Sequence, residues 1–402
     1  MRYRITPFAL IACTMVLMAA CGETNTAPDD TELFSEAADL SAAGDQQAGS
    51  TVAWNAIGRQ LIKDRAVTAA DIQGRILSYL SLAQYNAIVG AEREKDRGRR
   101  ASSASAAAGA SVVVLTSFFP NDAAFLEATL QAQFPAEASE GAERRQDIAW
   151  GEEFGRAVGA DVVAYAAADQ FNVLIPPPAP VGPGFWYSSS PTTPPRRSAY
   201  GARPFFLTAG DQFRSPPPPA FGSPEFLAGL AEIRALSDNR TDEQRAVVQL
   251  WGPRGPAYLN EVAVDAITSR HWDDRKAAHL LALANMAGFD AQIGCFDAKF
   301  TYWFIRPTQA DPGITLAIAL PNHPSYISAH SCITASYAAV LSSAFPDEEA
   351  RFEADVEEAG LSRMYGGLHY RFDITAGQEL GRQVAEWAIA HDVTGHEPFP
   401  LD

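Results

Sequence analysis

Two proline-rich stretches decide most of what this chain can fold into. "IPPPAPVGPGFWYSSSPTTPPRR" (175–197) and "SPPPPAFGSP" (215–224) cannot be helix interiors. Proline fixes φ, lacks the amide hydrogen and clashes with the turn before it. They divide the chain into two long segments, 52–174 and 226–402, both rich in Ala, Leu, Glu, Gln and Arg with apolar residues at helical spacing. Phe185, Trp186 and Tyr187 inside the first stretch imply a connection that packs over the body. The fold expected is all-α: two packed helical bundles joined by an irregular Pro-rich connection over 175–225. The one strongly β-like run, "ASVVVLTSFF" (110–119), follows an alanine-rich approach and meets Pro120, which suits a buried helix that stops there.

A weak internal repeat fits two related bundles. "ILSYLSLAQYNAI" (76–88) aligns with "LLALANMAGFDAQ" (280–292), pairing Leu77 with Leu281, Ala83 with Ala287, Tyr85 with Phe289, Asn86 with Asp290 and Ala87 with Ala291. Small residues at helical spacing let a neighbouring helix approach closely.

The N-terminus reads as a targeting segment. Arg2 and Arg4 precede an apolar run from Ile5 to Met18, and Ala19-Ala20-Cys21 follows. This pattern predicts a leader over 1–20. "LMAAC" resembles a bacterial lipobox, with Met18 where leucine is commoner, and makes Cys21 the expected lipidation site. Residues 21–51, polar, small and acidic, are expected to be a disordered tether. The protein is therefore expected to be exported, as a periplasmic or cell-envelope lipoprotein whose only membrane attachment is the lipid. Of four cysteines, Cys13 and Cys21 fall in these segments. Cys295 and Cys332 remain, open to a disulfide or two buried thiols, and their spacing forms no zinc motif.

The net charge of −17 argues against nucleic acid or anionic headgroups as partners. Any anion site must be a local basic pocket. Three clusters in the last hundred residues supply one. "KFTYWFIRP" places Lys299 and Arg306 seven apart, which on one helix puts both on one face, with Pro307 ending the helix. "PNHPSYISAH" supplies Ser328, the Ala329 amide and His330 at an expected helix start, where free N–H groups favour an anion. "LSRMYGGLHYRFD" supplies Arg363, a Gly366-Gly367 turn, His369 and Asp373. Two arginines and a lysine neutralise a tetrahedral or trigonal oxyanion. Asp373 can orient the His369 ring, and His330 is placed for proton transfer. Taken singly, each has an ordinary reading: a solvated cation, a capping serine, a core histidine, a surface His–Asp pair. Asn322-His323 and the aromatics beside Lys299 are candidates to tune access to that pocket, the aromatics reading first as packing.

The joint order, Lys-x6-Arg-Pro, Ser-x-His, Ser-Arg-x5-His-x3-Asp, resembles the tripartite signature of the phosphatidic-acid-phosphatase type 2 and vanadium-dependent haloperoxidase superfamily. The first and third elements match in full. In the second, Ile327 replaces a proline and Ala329 a glycine. Much of 52–392 is similar to the soluble bacterial haloperoxidase group, in "GDQFRSPPPPAFGSPEF", "RTDEQRAVVQLW" and "LLALANMAGFDAQIGCFDAKFTYWFIRP". The resemblance implies a helical double bundle. It also implies that Lys299, Arg306, Ser328, the Ala329 amide and Arg363 bind the oxygens of vanadate or phosphate. His369 would be the vanadium ligand or phosphate nucleophile, His330 the acid–base residue and Asp373 the support of His369. The function implied is vanadate-dependent oxidation of halide by hydrogen peroxide. Two alternatives stand beside it. One is an exported acid phosphatase working through a phosphohistidine on a phosphate ester, with no cofactor. The other is a non-catalytic anion-binding protein, motivated by Ile327 and Ala329. The oligomeric state, including a homo-oligomer, stays open.

Overall fold

The computed structural model describes residues 49–98, 100–134, 145–188 and 193–401. The expected leader, Cys21 and nearly all of the expected tether lie outside them. Chain order begins with α1 (Gly49–Asp64), α2 (Ala70–Asp96), α3 (Ser103–Phe118), α4 (Ala123–Gln133) and α5 (Arg145–Ala167). After the Pro-rich connection come α6 (Pro224–Asp238), α7 (Asp242–Trp251), α8 (Pro256–Ser269), α9 (Asp274–Tyr302) and the short α10 (Pro307–Ala310). α11 (Ala329–Ala344), α12 (Glu349–Tyr365) and α13 (Arg371–Ala390) complete the chain. Among the described residues there is no strand, only an isolated bridge between Phe185 and Phe304, and no helix long and apolar enough to cross a membrane. The helical start expected at Val52 lies at Gly49. Ser50 and Thr51 are drawn into the fold because Ser50 Oγ donates to the Ala104 carbonyl (2.8 Å) and the Thr51 N–H donates to Asp274 Oδ1 (2.7 Å).

Two bundles pack together as expected. In the first, α3 packs most extensively on α5 and also on α2; in the second, α11 packs on α13, α12 and α9. The bundles meet along α2 and α9, the two helices that carry the sequence repeat. α9 is buried along most of its length from Ala277 to Phe300, as befits a helix surrounded by others. It starts at Asp273, whose side chain accepts the Lys276 N–H (2.9 Å), and ends at Trp303 in the left-handed region (φ 49°). "ASVVVLTSFF" lies in buried α3, which stops before Pro120.

The repeat extends beyond α2 and α9. Ser102 caps α3 and its N–H donates to the Asp147 carbonyl (2.9 Å); Ser328 caps α11 and its N–H donates to the Asp373 carbonyl (3.0 Å). Phe119 and Phe345, with nearly equal backbone angles, each precede a proline that opens a 3₁₀ turn. Asn86 clasps Phe399 through its amide (N–H to Oδ1 2.8 Å, Nδ2 to carbonyl 2.9 Å). Its counterpart Asp290 accepts the N–H groups of Phe205, Phe206 and Leu207 at 2.8, 2.7 and 3.0 Å. Each bundle thus pins an extended strap with a polar residue at the same helical position.

The Pro-rich connection is stitched to the second bundle. The Trp186 N–H donates to the Trp303 carbonyl (2.7 Å), the Ile305 N–H to Gly184 (3.0 Å), and the Arg196 N–H to Asn322 (2.9 Å). Cys295 and Cys332 are both buried and free.

Candidate anion site

Lys299 arrives on the last turn of α9 with no exposed surface. Its Nζ donates to the carbonyls of Pro324 (3.0 Å) and Ser325 (2.9 Å). Burial pulls its pKa down to about 8. Arg306 is not on that helix. α9 ends at Tyr302, and Arg306 sits in extended backbone (φ −77°, ψ 152°) as the residue capping α10, with Pro307 opening that helix. This corrects the expectation of one shared helix face. The proline that was expected to end a helix keeps the residue before it out of the α region, so a loop brings the two cations together.

Arg306 is wholly buried and fully engaged. Its Nη1 donates to the Leu368 carbonyl (2.9 Å) and lies 3.0 Å from His369 Nε2; Nε donates to the His323 carbonyl (3.1 Å), and Nη2 lies 3.1 Å from His323 Nδ1. Arg363, from the last turn of α12, is 3% exposed. Its Nε donates to Ser362 Oγ (2.9 Å), but among the described residues its Nη2 has no partner. Burial lowers both guanidinium pKa values to about 10, leaving them charged. An orphaned buried guanidinium N–H is costly, because it has lost water and gained nothing.

α12 ends in a turn at Gly366-Gly367. Gly367 has φ +75°, which a side chain would resist, and the Leu368 N–H donates back to Arg363 (3.0 Å). This turn delivers His369 just ahead of α13. His369 Nδ1 lies 2.9 Å from Asp373 Oδ2. That oxygen also accepts the Ser325 hydroxyl (2.5 Å) and the Tyr370 N–H (3.2 Å). A carboxylate beside Nδ1 places the ring proton there and leaves Nε2 its lone pair. Burial, reinforced by Arg306 and Lys299, holds the His369 pKa well below the ordinary histidine range, so the ring is neutral at neutral pH. Burial pushes the Asp373 carboxyl up to about 6 against the downward pull of Ser325, Lys299 and Arg306, which leaves it ionised at neutral pH.

Ser328 is fully buried at the start of α11, where its Oγ accepts the Ser331 N–H and lies 2.9 Å from Ser331 Oγ. His330, one residue into α11, is part-exposed. Burial and the Arg363 charge lower its pKa, and the Trp251 carbonyl is a partner of its ring. The two departures from the motif both pack in apolar clusters. Ile327 is wholly buried in a cluster with Cys295, Cys332 and Tyr326, and Ala329 packs against the rings of Trp186, Phe296, Phe300 and Trp303.

The structure therefore gathers Lys299, Arg306, Arg363, His369 and Asp373, with His330 in electrostatic reach of Arg363 and Lys299 and Ser328 tied in through the Asp373 carbonyl. Sequence reasoning missed Ser325, although it lies inside the second motif. His323, named with Asn322 as a candidate to tune halide access, is held against Arg306 and edge-on to Phe296 (5.3 Å). Among the described residues no group of three or more His, Cys, Asp or Glu could hold a cation. Three buried cations against one carboxylate leave an excess of two positive charges, the complement of a dianion.

A family profile described as the VCPO second helical-bundle domain matches residues 350–394. No curated protein sequence matches the chain. Among solved structures, the first bacterial vanadium-dependent iodoperoxidase superposes with a TM-score of 0.74 at 20% identity, covering 86% of this chain and 97% of that one. A bacterial vanadium-dependent chloroperoxidase in its holo form gives 0.62 at 13% identity, covering 80% and 91%. The apo form of a bacterial vanadium-dependent chloroperoxidase gives 0.63 at 13%, covering 81% and 95%. The chain has the fold of these enzymes, and the profile and the fold together support the vanadium haloperoxidase and phosphatidic-acid-phosphatase-like superfamily read from the motifs.

Proposed function

We propose that this chain is a vanadate-dependent haloperoxidase that oxidises halide with hydrogen peroxide, exported by its N-terminal leader and tethered through Cys21. The export rests on the sequence alone. The enzymatic reading rests above all on the buried +2 excess of Lys299, Arg306, Arg363 and Asp373, with the unpaired Arg363 Nη2 on a guanidinium in electrostatic reach of His369. The residues fit vanadate: the charge, the donors and the neutral His369 imidazole match a tetrahedral oxyanion that also takes one nitrogen ligand. The likeness to vanadium-dependent iodo- and chloroperoxidases supports the same choice.

In this reading Lys299, Arg306, Arg363, Ser328 and the Ala329 amide hold the oxyanion's oxygens. His369 Nε2 is the vanadium ligand, and Asp373 fixes the ring by keeping the proton on Nδ1. Bound vanadate supplies a Lewis-acidic centre that activates hydrogen peroxide for two-electron oxidation of a halide. His330, neutral at neutral pH, takes a proton from incoming peroxide and returns it to the departing oxygen. The net change is H₂O₂ + X⁻ + H⁺ → HOX + H₂O.

The test incubates the protein in phosphate-free buffer with and without orthovanadate. It assays peroxide-dependent bromide and iodide oxidation and p-nitrophenyl phosphate hydrolysis. The reading expects halide oxidation only with vanadate, and its loss in His369→Ala. Phosphate release that vanadate inhibits, with no halide oxidation, would assign the pocket to hydrolysis instead. Dianion binding with neither activity would assign it to the non-catalytic alternative.

A further inference from the structure

The helix that brings Arg363 to the anion site also grips a tryptophan. Trp251 closes α7 and is 1% exposed, and its indole Nε1–H donates to Glu358 Oε2 on α12 (2.8 Å). The indole meets Tyr258 edge-on (5.5 Å), and the Arg254 guanidinium lies over the Trp251 and Tyr258 rings (5.3 and 4.0 Å). The Tyr258 hydroxyl donates to Asp355 Oδ2, also on α12 (3.3 Å). Held on these sides, Trp251 has little freedom to turn.

The backbone carbonyl of Trp251 is left over for another partner. The last carbonyls of a helix find no acceptor's match within it, and Pro253 just beyond has no N–H to offer. The His330 ring is the partner it takes. A carbonyl only accepts, so the ring nitrogen facing Trp251 carries the proton, and in the neutral ring the other nitrogen keeps its lone pair. The negative end of the α7 dipole favours an N–H at that carbonyl. The charges facing the ring are Arg363 from α12 and Lys299 from α9, and both favour a bare nitrogen over a second N–H. Trp251, Arg254 and His330 border a cavity of about 10 Å³, at the lower limit for one water, so no substrate enters there.

We propose that Glu358 and Trp251 are positioning residues that fix the tautomer and direction of His330, so that its bare nitrogen faces the oxyanion pocket. Glu358 holds the indole, the indole holds the end of α7, and the carbonyl there holds the ring. One helix, α12, thus places both Arg363 and the proton acceptor. The positioning role rests on His330 being the acid–base residue, which the haloperoxidase and phosphatase readings both require.

Glu358 is part-exposed, so replacing it leaves the core untouched. Glu358→Leu removes the acceptor, and Glu358→Gln restores it through the amide oxygen. Glu358→Leu is expected to lower kcat about tenfold, with the KM for peroxide and the Kd for vanadate within about twofold of wild type. Glu358→Gln is expected to keep a kcat near wild type. In a His330→Ala background Glu358→Leu is expected to cost nothing further, because a residue acting through His330 has nothing left to act on. A wild type that hydrolyses p-nitrophenyl phosphate and oxidises no halide would overturn the haloperoxidase reading, and the same pattern is then expected in the hydrolysis. Independently of turnover, nitrogen-15 NMR of the histidine rings reads the tautomer, with His330 assigned by its absence from His330→Ala. One neutral tautomer is expected in wild type and Glu358→Gln, and a mixture in Glu358→Leu. The positioning role would be overturned by a wild-type kcat in Glu358→Leu, an equal loss in Glu358→Gln, an undiminished loss in the His330→Ala background, or a tautomer indifferent to Glu358→Leu.

Discussion

At the residue scale, Arg363 and Lys299 carry the clearest expectations. The unpaired Arg363 Nη2 gains a charge-assisted bond only when an oxyanion arrives. Arg363→Gln is therefore expected to weaken vanadate or phosphate binding by about 1.5–3 kcal/mol, roughly tenfold to a hundredfold, in an equilibrium titration. Lys299, with its pKa lowered to about 8 by burial, is charged below that value and loses its proton as pH rises through it. Affinity for molybdate, a tetrahedral dianion of constant charge in this range, is expected to be full near about pH 7 and to fall toward about pH 9. Lys299→Met is expected to flatten the dependence. The sequence named both residues but misjudged how Lys299 meets Arg306. A seven-residue spacing suggested a helix face, while the aromatic run and Pro307 broke the helix between them. Ser325 was illegible because a serine gives no signal of its own until the fold lays it on Asp373.

At the element scale, the site depends on how closely α13 approaches α11. A Cβ on Gly377 would stand 2.7 Å from the Ser328 carbonyl and 3.1 Å from Ser331 Cβ. Gly377→Ala is expected to push the start of α11 away, destabilise the protein by about 1–3 kcal/mol in denaturant unfolding, and weaken oxyanion binding as well. The α2–α9 repeat could be read because it spans long alanine-rich helices. The second correspondence, Ser102 with Ser328 and Phe119-Pro120 with Phe345-Pro346, is legible too, since VLTSFFP (114–120) matches VLSSAFP (340–346) without a gap, but the sequence reading did not name it. In the first bundle Ser103 and Ala104 stand where Ala329 and His330 stand in the second, so the scaffold is doubled but the imidazole is not.

At the scale of the whole molecule, helix-forming periodicity and the proline interruptions made the double bundle readable before any coordinate. The packing of the Pro-rich connection was readable only as an aromatic hint, because its contacts are backbone hydrogen bonds to distant loops. The site joins α9, α11, α12 and α13, so a dianion bound there braces the second bundle against α9 and, through α9, the first. At a hundred times its Kd, vanadate is expected to add about 2.7 kcal/mol and raise the midpoint of thermal unfolding by a few degrees, with no effect in a variant that does not bind it. The most direct measurement of the central claim is equilibrium binding of orthovanadate to wild type and His369→Ala in phosphate-free buffer. The account predicts one vanadate per chain, displaced by phosphate, with affinity reduced about a hundredfold or more in the variant. No saturable binding, or binding unchanged by His369→Ala, would contradict it.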